Sequence, residues 1–151
     1  GNKEFVKDLG CCDQIVLYQN ESQIDASLST AYVDMSGDAR LTISLHNHVG
    51  ENIVESCMVG GSHWQEGGKV GELPGARPRF FFAPGQIEKR NKEWGPGVAM
   101  VKAMTASADV AGRVANDINI EWVYGAESLA QYWNQLLDNQ IAPSRGLMVA
   151  L

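Results

Sequence analysis

Residues able to do chemistry are few in this chain, and most of them lie in two short stretches. Histidine occurs three times, as His46, His48 and His63. The His46-x-His48 pair invites a metal reading, but residues two apart on a helix face different directions. No carboxylate or cysteine stands at helical spacing to complete a ligand set, so no metal site is expected. His63 follows Gly60-Gly61-Ser62 and precedes Trp64. An imidazole beside a glycine pair and an indole is the best single polar candidate for a ligand pocket, with a surface histidine as the plain alternative. Arg77, Arg79, Lys89, Arg90 and Lys92 bring five of the twelve Lys and Arg residues into one segment. Such a cluster reads as an anion or phosphate contact, led by Arg77 and Arg79 beside the loop. The plainer reading is a solvated patch paired with the chain's own carboxylates or an acidic partner. Cys57 sits in an apolar run and should be inert. No arrangement of Ser, Cys and His suggests a nucleophilic triad, and no catalytic residue is assigned.

These residues need elements to hold them. KEFVKDL, residues 3–9, puts Phe5, Val6 and Leu9 on one side of a short helix capped by Gly10. QIVLY (14–18), AYVDM (31–35), IVESCMVGG (53–61), RFFFA (79–83), NIEWVY (119–124) and LMVAL (147–151) read as strands. The RFFFA run, closed by Pro84-Gly85, suits a strand covered on both faces. Ser36-Gly37-Asp38 is turn chemistry with an N-cap, ahead of a helix over 39–50 whose face carries Leu41, Leu45, His48 and Val49. Residues 65–78 read as an exposed Gly/Pro loop, and 86–94 as a polar helical turn. The clearest helical period covers 98–118, and a second helix covers 127–139 with Leu129, Tyr132, Trp133, Leu136 and Leu137 on one face. Alternation of this kind predicts an α/β domain, one mostly parallel sheet flanked by helices, spanning 1–151 as a single unit.

The totals are those of a globular chain: 151 residues, 44% hydrophobic and 20% charged. A net charge of −6 argues against general nucleic-acid binding. No apolar run approaches the ~18 residues of a membrane span, and GNKEFVKDLG carries no signal-peptide core. Three cysteines, with Cys11 and Cys12 adjacent, suit reduced thiols in a cytoplasmic protein.

The order of these stretches resembles the cofactor domain of the medium-chain dehydrogenase/reductase superfamily, nearest an uncharacterised bacterial branch close to the quinone oxidoreductases. NKEFVKDLGCCDQIVLY (2–18) is similar to the segment after the second Rossmann strand. AYVDMSGD (31–38) and IVESCMVGGSHW (53–64) are similar to the fourth and fifth strands with their exits. RPRFFFAPGQIEKR (77–90) resembles a block of that branch, and residues 120–151 resemble the closing helix, turn and strand. The resemblance implies a partial Rossmann-like fold and, for the family, NAD(P). It implies vestigial cofactor contacts at Lys3, Met35, Ser36, Gly60 and Gly61, and a residual pocket beyond the strand ends that includes His63 and Trp64. Ordinary strand-exit turns are the competing reading.

The family's glycine loop is absent from these residues. The one literal G-x-G, Gly95-Pro96-Gly97, follows no strand, and Pro96 has no N–H to donate. No cofactor is therefore expected for this chain alone. Three functions follow as expectations: a truncated reductase remnant that binds a small ligand or partner, an NAD(P)H-dependent oxidoreductase or a piece of one, and a structural module. Strand edges left without the family's first and second strands also suggest a homo-oligomer, most simply a dimer.

Overall fold

The structure is a computed structural model that describes residues 2–62 and 64–150, with Trp64 described in its backbone alone. It is an α/β fold in which, among the described residues, every strand pairing is parallel. Two compact units make it up, one formed by Val16–Pro96 and the other by Gly1–Ile15 with Gly97–Leu151.

In the Val16–Pro96 unit, the strands β1 (Thr30–Asp34), β2 (Ile53–Met58) and β3 (Arg79–Phe80) form a sheet in that order. The helix α2 (Ala39–Val49) links β1 to β2, and α3 (Ala83–Trp94) follows β3. The helix α2 starts where the sequence places its cap, because the Asp38 carboxylate accepts from the Arg40 and Leu41 amides. The buried core is Leu45, Val49 and Ile53, joined by Ile24, Tyr32 and Ala76. The face that α2 buries is Thr42, Leu45, His46 and Val49. His46 therefore replaces the expected His48 on the core side. Two hydrogen bonds satisfy its ring, whereas His48 reaches out to the Ile24 carbonyl.

Two expectations about this unit fail. QIVLY is not a strand: residues 14–17 have no regular structure, and Tyr18 opens a 3-10 segment ending at Gln23. This run does not add to the outer edge of β1, which pairs only with β2. The RFFFA run keeps only Arg79 and Phe80 as strand. The Phe81 amide adds one bond to the Met58 carbonyl. Pro84 then stands in the first turn of α3, where its fixed φ starts a helix and ends the strand. With β3 at the sheet edge, Phe80, Phe81 and Phe82 are 70%, 39% and 60% exposed, not covered on two faces.

The other unit holds α1 (Lys3–Asp8), α4 (Val98–Val114), β4 (Asn119–Tyr124), α5 (Ala126–Leu137) and β5 (Arg145–Ala150). The strands β4 and β5 pair in parallel through α5, with Asn119 opposite Arg145 and Tyr124 opposite Ala150. Val123 is buried between them and their surroundings, while Ile120, Trp122 and Tyr124 on the opposite face are exposed. The single sheet expected from the sequence is thus two, of three and two strands. The periodic helix α4 ends at Val114 and buries none of its residues, so its period marks an apolar face without a cover inside this unit. No described helix is long and apolar enough to cross a membrane.

Candidate functional site

The site is built at the carboxyl ends of β1 and β2, where parallel strands of an open sheet commonly receive ligands. Asp34, the last residue of β1, is 3% exposed. Its Oδ1 accepts from the Ser36 amide at 2.9 Å, the Ser36 hydroxyl at 2.8 Å and the Gly37 amide at 2.9 Å. The Thr42 hydroxyl of α2 reaches Oδ2 at 3.4 Å. The Asp34 carbonyl in turn accepts from the Val59 and Gly60 amides, at 2.8 and 3.1 Å. One buried carboxylate thus folds the β1 exit into a tight turn, and the same residue's backbone ties that turn to the β2 exit.

Two glycines make this closeness feasible. A Cβ on Gly60 would stand 2.3 Å from the Met35 carbonyl oxygen. Gly37 has φ of +72°, and its Cβ would meet Gly61 Cα at 3.0 Å.

Beside this turn lies a cleft of about 150 Å³, lined by Asp34, Gly37, Thr42, Met58, Gly60 and Phe80, among others. Gly68 and Val70 roof it, and Met58, Gly68 and Val70 also line a wider groove of about 800 Å³. The groove adds Lys69, Glu72, Leu73, Arg77 and Pro78. The loop that makes the roof is anchored at its far end. The His46 ring bonds the Pro74 carbonyl through Nδ1 and Ser56 Oγ through Nε2, both at 2.9 Å, and the Ala76 amide bonds the Ile53 carbonyl at 2.7 Å. Nearby, burial pushes the Tyr32 phenol up, partly offset by its hydrogen bond with Thr42.

The residues singled out from the sequence divide on this frame. Ser36 is buried in the turn, and Gly60 lines the cleft. Gly61 abuts Gly37, and the Met35 side chain is 62% exposed. Arg77 lines the groove, but Arg79 does not. Arg79 pairs with Glu55 at 3.4 Å on the exposed surface. Lys89 and Arg90 pair with Glu93, and Lys92 pairs with Glu88, so the basic cluster is largely matched by carboxylates of its own helix. Lys3 belongs to α1 in the other unit. His63 lies outside the described residues, and Trp64 begins a short 3-10 turn with its side chain undescribed. The sequence reading missed Thr42, Gly68, Lys69 and Val70. The Gly67-Gly68 pair was the available signal for a loop that comes close to a strand end.

Several amides of the β1–α2 turn are engaged by side chains: those of Ser36 and Gly37 by Asp34, that of Asp38 by Ser36 Oγ, and those of Arg40 and Leu41 by Asp38.

A family model described as a protein of unknown function, DUF2855, matches residues 1–142. The chain belongs to that family. The whole strand-end site falls within the DUF2855 match, whereas β5 lies beyond its end. No curated protein and no solved structure matches the chain.

Proposed function

We propose that this DUF2855 chain is a remnant of a medium-chain reductase cofactor domain whose strand-end cleft binds a small ligand, without hydride transfer by these residues alone. The observation that carries the ligand reading is the junction of the two exits. Asp34, Gly37 and Gly60 shape a cleft beside Met58 that shares Met58, Gly68 and Val70 with the groove lined by the 68–73 loop. The inactive reading is supported by the β1–α2 turn, several of whose amides are engaged by Asp34 and Asp38. Hydride transfer requires a firmly held nicotinamide. A fluorescence or calorimetric titration with NADH and NADPH is expected to give dissociation constants no tighter than about millimolar. A low-micromolar constant would favour the oxidoreductase reading instead.

A second part of the proposal is assembly into a homo-oligomer, most simply a dimer. It is supported by the β4–β5 pair, because parallel strands are ordinarily covered on both faces. Here the face of Ile120, Trp122 and Tyr124 is open, with Trp122 and Tyr124 stacked at 6.3 Å. Two outer edges lacking ladder partners add self-complementary surface for a twofold. Light scattering after size exclusion, from about micromolar concentration upward, is expected to report more than one chain. A monomer at every concentration would exclude the assembly.

A further inference from the structure

The Val16–Pro96 unit contains seven Lys and Arg residues: Arg40, Lys69, Arg77, Arg79, Lys89, Arg90 and Lys92. Five are held by carboxylates: Arg40 by Glu66, Arg79 by Glu55, Lys89 and Arg90 by Glu93, and Lys92 by Glu88. Among the described residues, Lys69 and Arg77 form no ion pair. Both line the 800 Å³ groove. Both belong to the Gly/Pro loop over residues 65–78, and both line this one concavity.

The rest of that groove is mostly apolar. Met58, Val70, Leu73 and Pro78 form its walls, and Glu72 is the one carboxylate among its lining residues. Two cations against one anion give the lining a net positive charge beside its apolar side chains. Water solvates a small inorganic anion well and gives it no reason to enter apolar walls. A molecule with an anionic head and a hydrocarbon body gains from both parts: the head meets Lys69 and Arg77, and the body leaves water against Met58, Val70 and Leu73.

We infer that the groove under the 68–73 loop binds a small amphipathic anion, a carboxylate or phosphate ester with an apolar body, through Lys69 and Arg77. The inference rests on the ligand reading of the strand-end cleft and adds the chemical class. Arg79, although part of the same sequence cluster, takes no part, because Glu55 holds it outside the groove.

Sodium octanoate, octyl phosphate, octan-1-ol and inorganic phosphate, each titrated calorimetrically and by amide chemical shifts, test it. Octanoate or octyl phosphate is expected to shift the Met58, Gly68, Val70 and Gly71 amides. Either should bind about fivefold more tightly than octan-1-ol, the upper range for one exposed charge pair. The double variant K69Q/R77Q should bring the anionic probes to the level of octan-1-ol. Arg79→Gln, with an exposed side chain outside the groove, should leave them unchanged. Preference for octanoate or for octyl phosphate reports which head group is taken. Equal binding of octan-1-ol at these amides would overturn the anion preference while leaving the cleft a ligand site. Equal binding of inorganic phosphate would overturn the apolar component. If no probe moves these amides, the inference and the ligand reading fall together.

Discussion

Nε2 of His46 lies 2.9 Å from Oγ of Ser56, and the two residues are 0% and 1% exposed. The helix α2 supplies the histidine and β2 the serine. The other ring nitrogen meets the Pro74 carbonyl at 2.9 Å. With Nδ1–H donating to that carbonyl, Nε2 is placed to accept from the serine hydroxyl, so both ring nitrogens have a partner. One side chain therefore fixes helix, sheet and loop at a single point. The loop it fixes is the one that continues back to the roof of the groove.

Ser56→Ala removes the hydroxyl and leaves Nε2 buried without a donor. The expected loss is about 1–3 kcal/mol, the cost of one unsatisfied buried group. His46→Ala should cost more, because it also frees the Pro74 carbonyl and leaves a cavity. Urea unfolding of both variants measures this. A Ser56→Ala midpoint equal to the parent's would show that the pair contributes nothing.

Gly60 and Gly61 are neighbours with different requirements. A Cβ at Gly60 meets the Met35 carbonyl at 2.3 Å, whereas at Gly61 nothing lies within 4 Å. Gly60→Ala should destabilise by about 1–3 kcal/mol through forced backbone movement. Gly61→Ala should stay within about 0.5 kcal/mol. Thermal melts of the two variants side by side would expose any error in the turn, since equal effects contradict the contact.

Asp34 accepts three short hydrogen bonds at Oδ1 in a buried position. Asp34→Ala should cost roughly 3 kcal/mol, since bonds to a charged acceptor are worth about 1.5–3 kcal/mol each and partly reform with water. Asp34→Asn keeps an acceptor oxygen and should lose less. Chemical denaturation gives the ranking. Amide shifts of Gly37 and Gly60 report whether the exit turn opens.

Glu121 of β4 and Arg145 of β5 face each other at the Leu147 side of the pair, with Arg145 Nε and Glu121 Oε1 at 2.8 Å and Arg145 Nη2 and Glu121 Oε2 at 2.6 Å. These hydrogen bonds hold the Glu121 carboxyl below its ordinary value of 4.5. A carboxyl depressed by folding adds stability above its unfolded value and loses it as pH falls through the folded one. The Tm difference between the parent and Glu121→Gln should therefore be constant near neutrality and shrink below about pH 4.5. A gap that persists into strong acid would mean the carboxylate is not the group concerned.

Much of the frame follows from local chemistry alone. Asp38 caps α2 because Ser-Gly-Asp before an amphipathic run has few other uses, and Gly50 ends the helix as written. The segments AYVDM, IVESCM, NIEWVY and the final apolar run became β1, β2, β4 and β5, since alternating or continuous apolar residues between turns suit buried ladders. Tertiary structure decided what periodicity cannot carry. QIVLY has the composition of a strand, but it is not laid along the open edge of β1. The Phe run has the composition of a core, yet Pro84 ends its strand after Phe80 and leaves the rings at an open edge. The choice between His46 and His48 turned on which ring could reach both Ser56 and Pro74, residues 10 and 28 positions away. The basic cluster read as one feature in sequence. In three dimensions Arg77 went to the groove with Lys69 of the same loop, while Arg79 went to Glu55, because pairing depends on where carboxylates stand after folding.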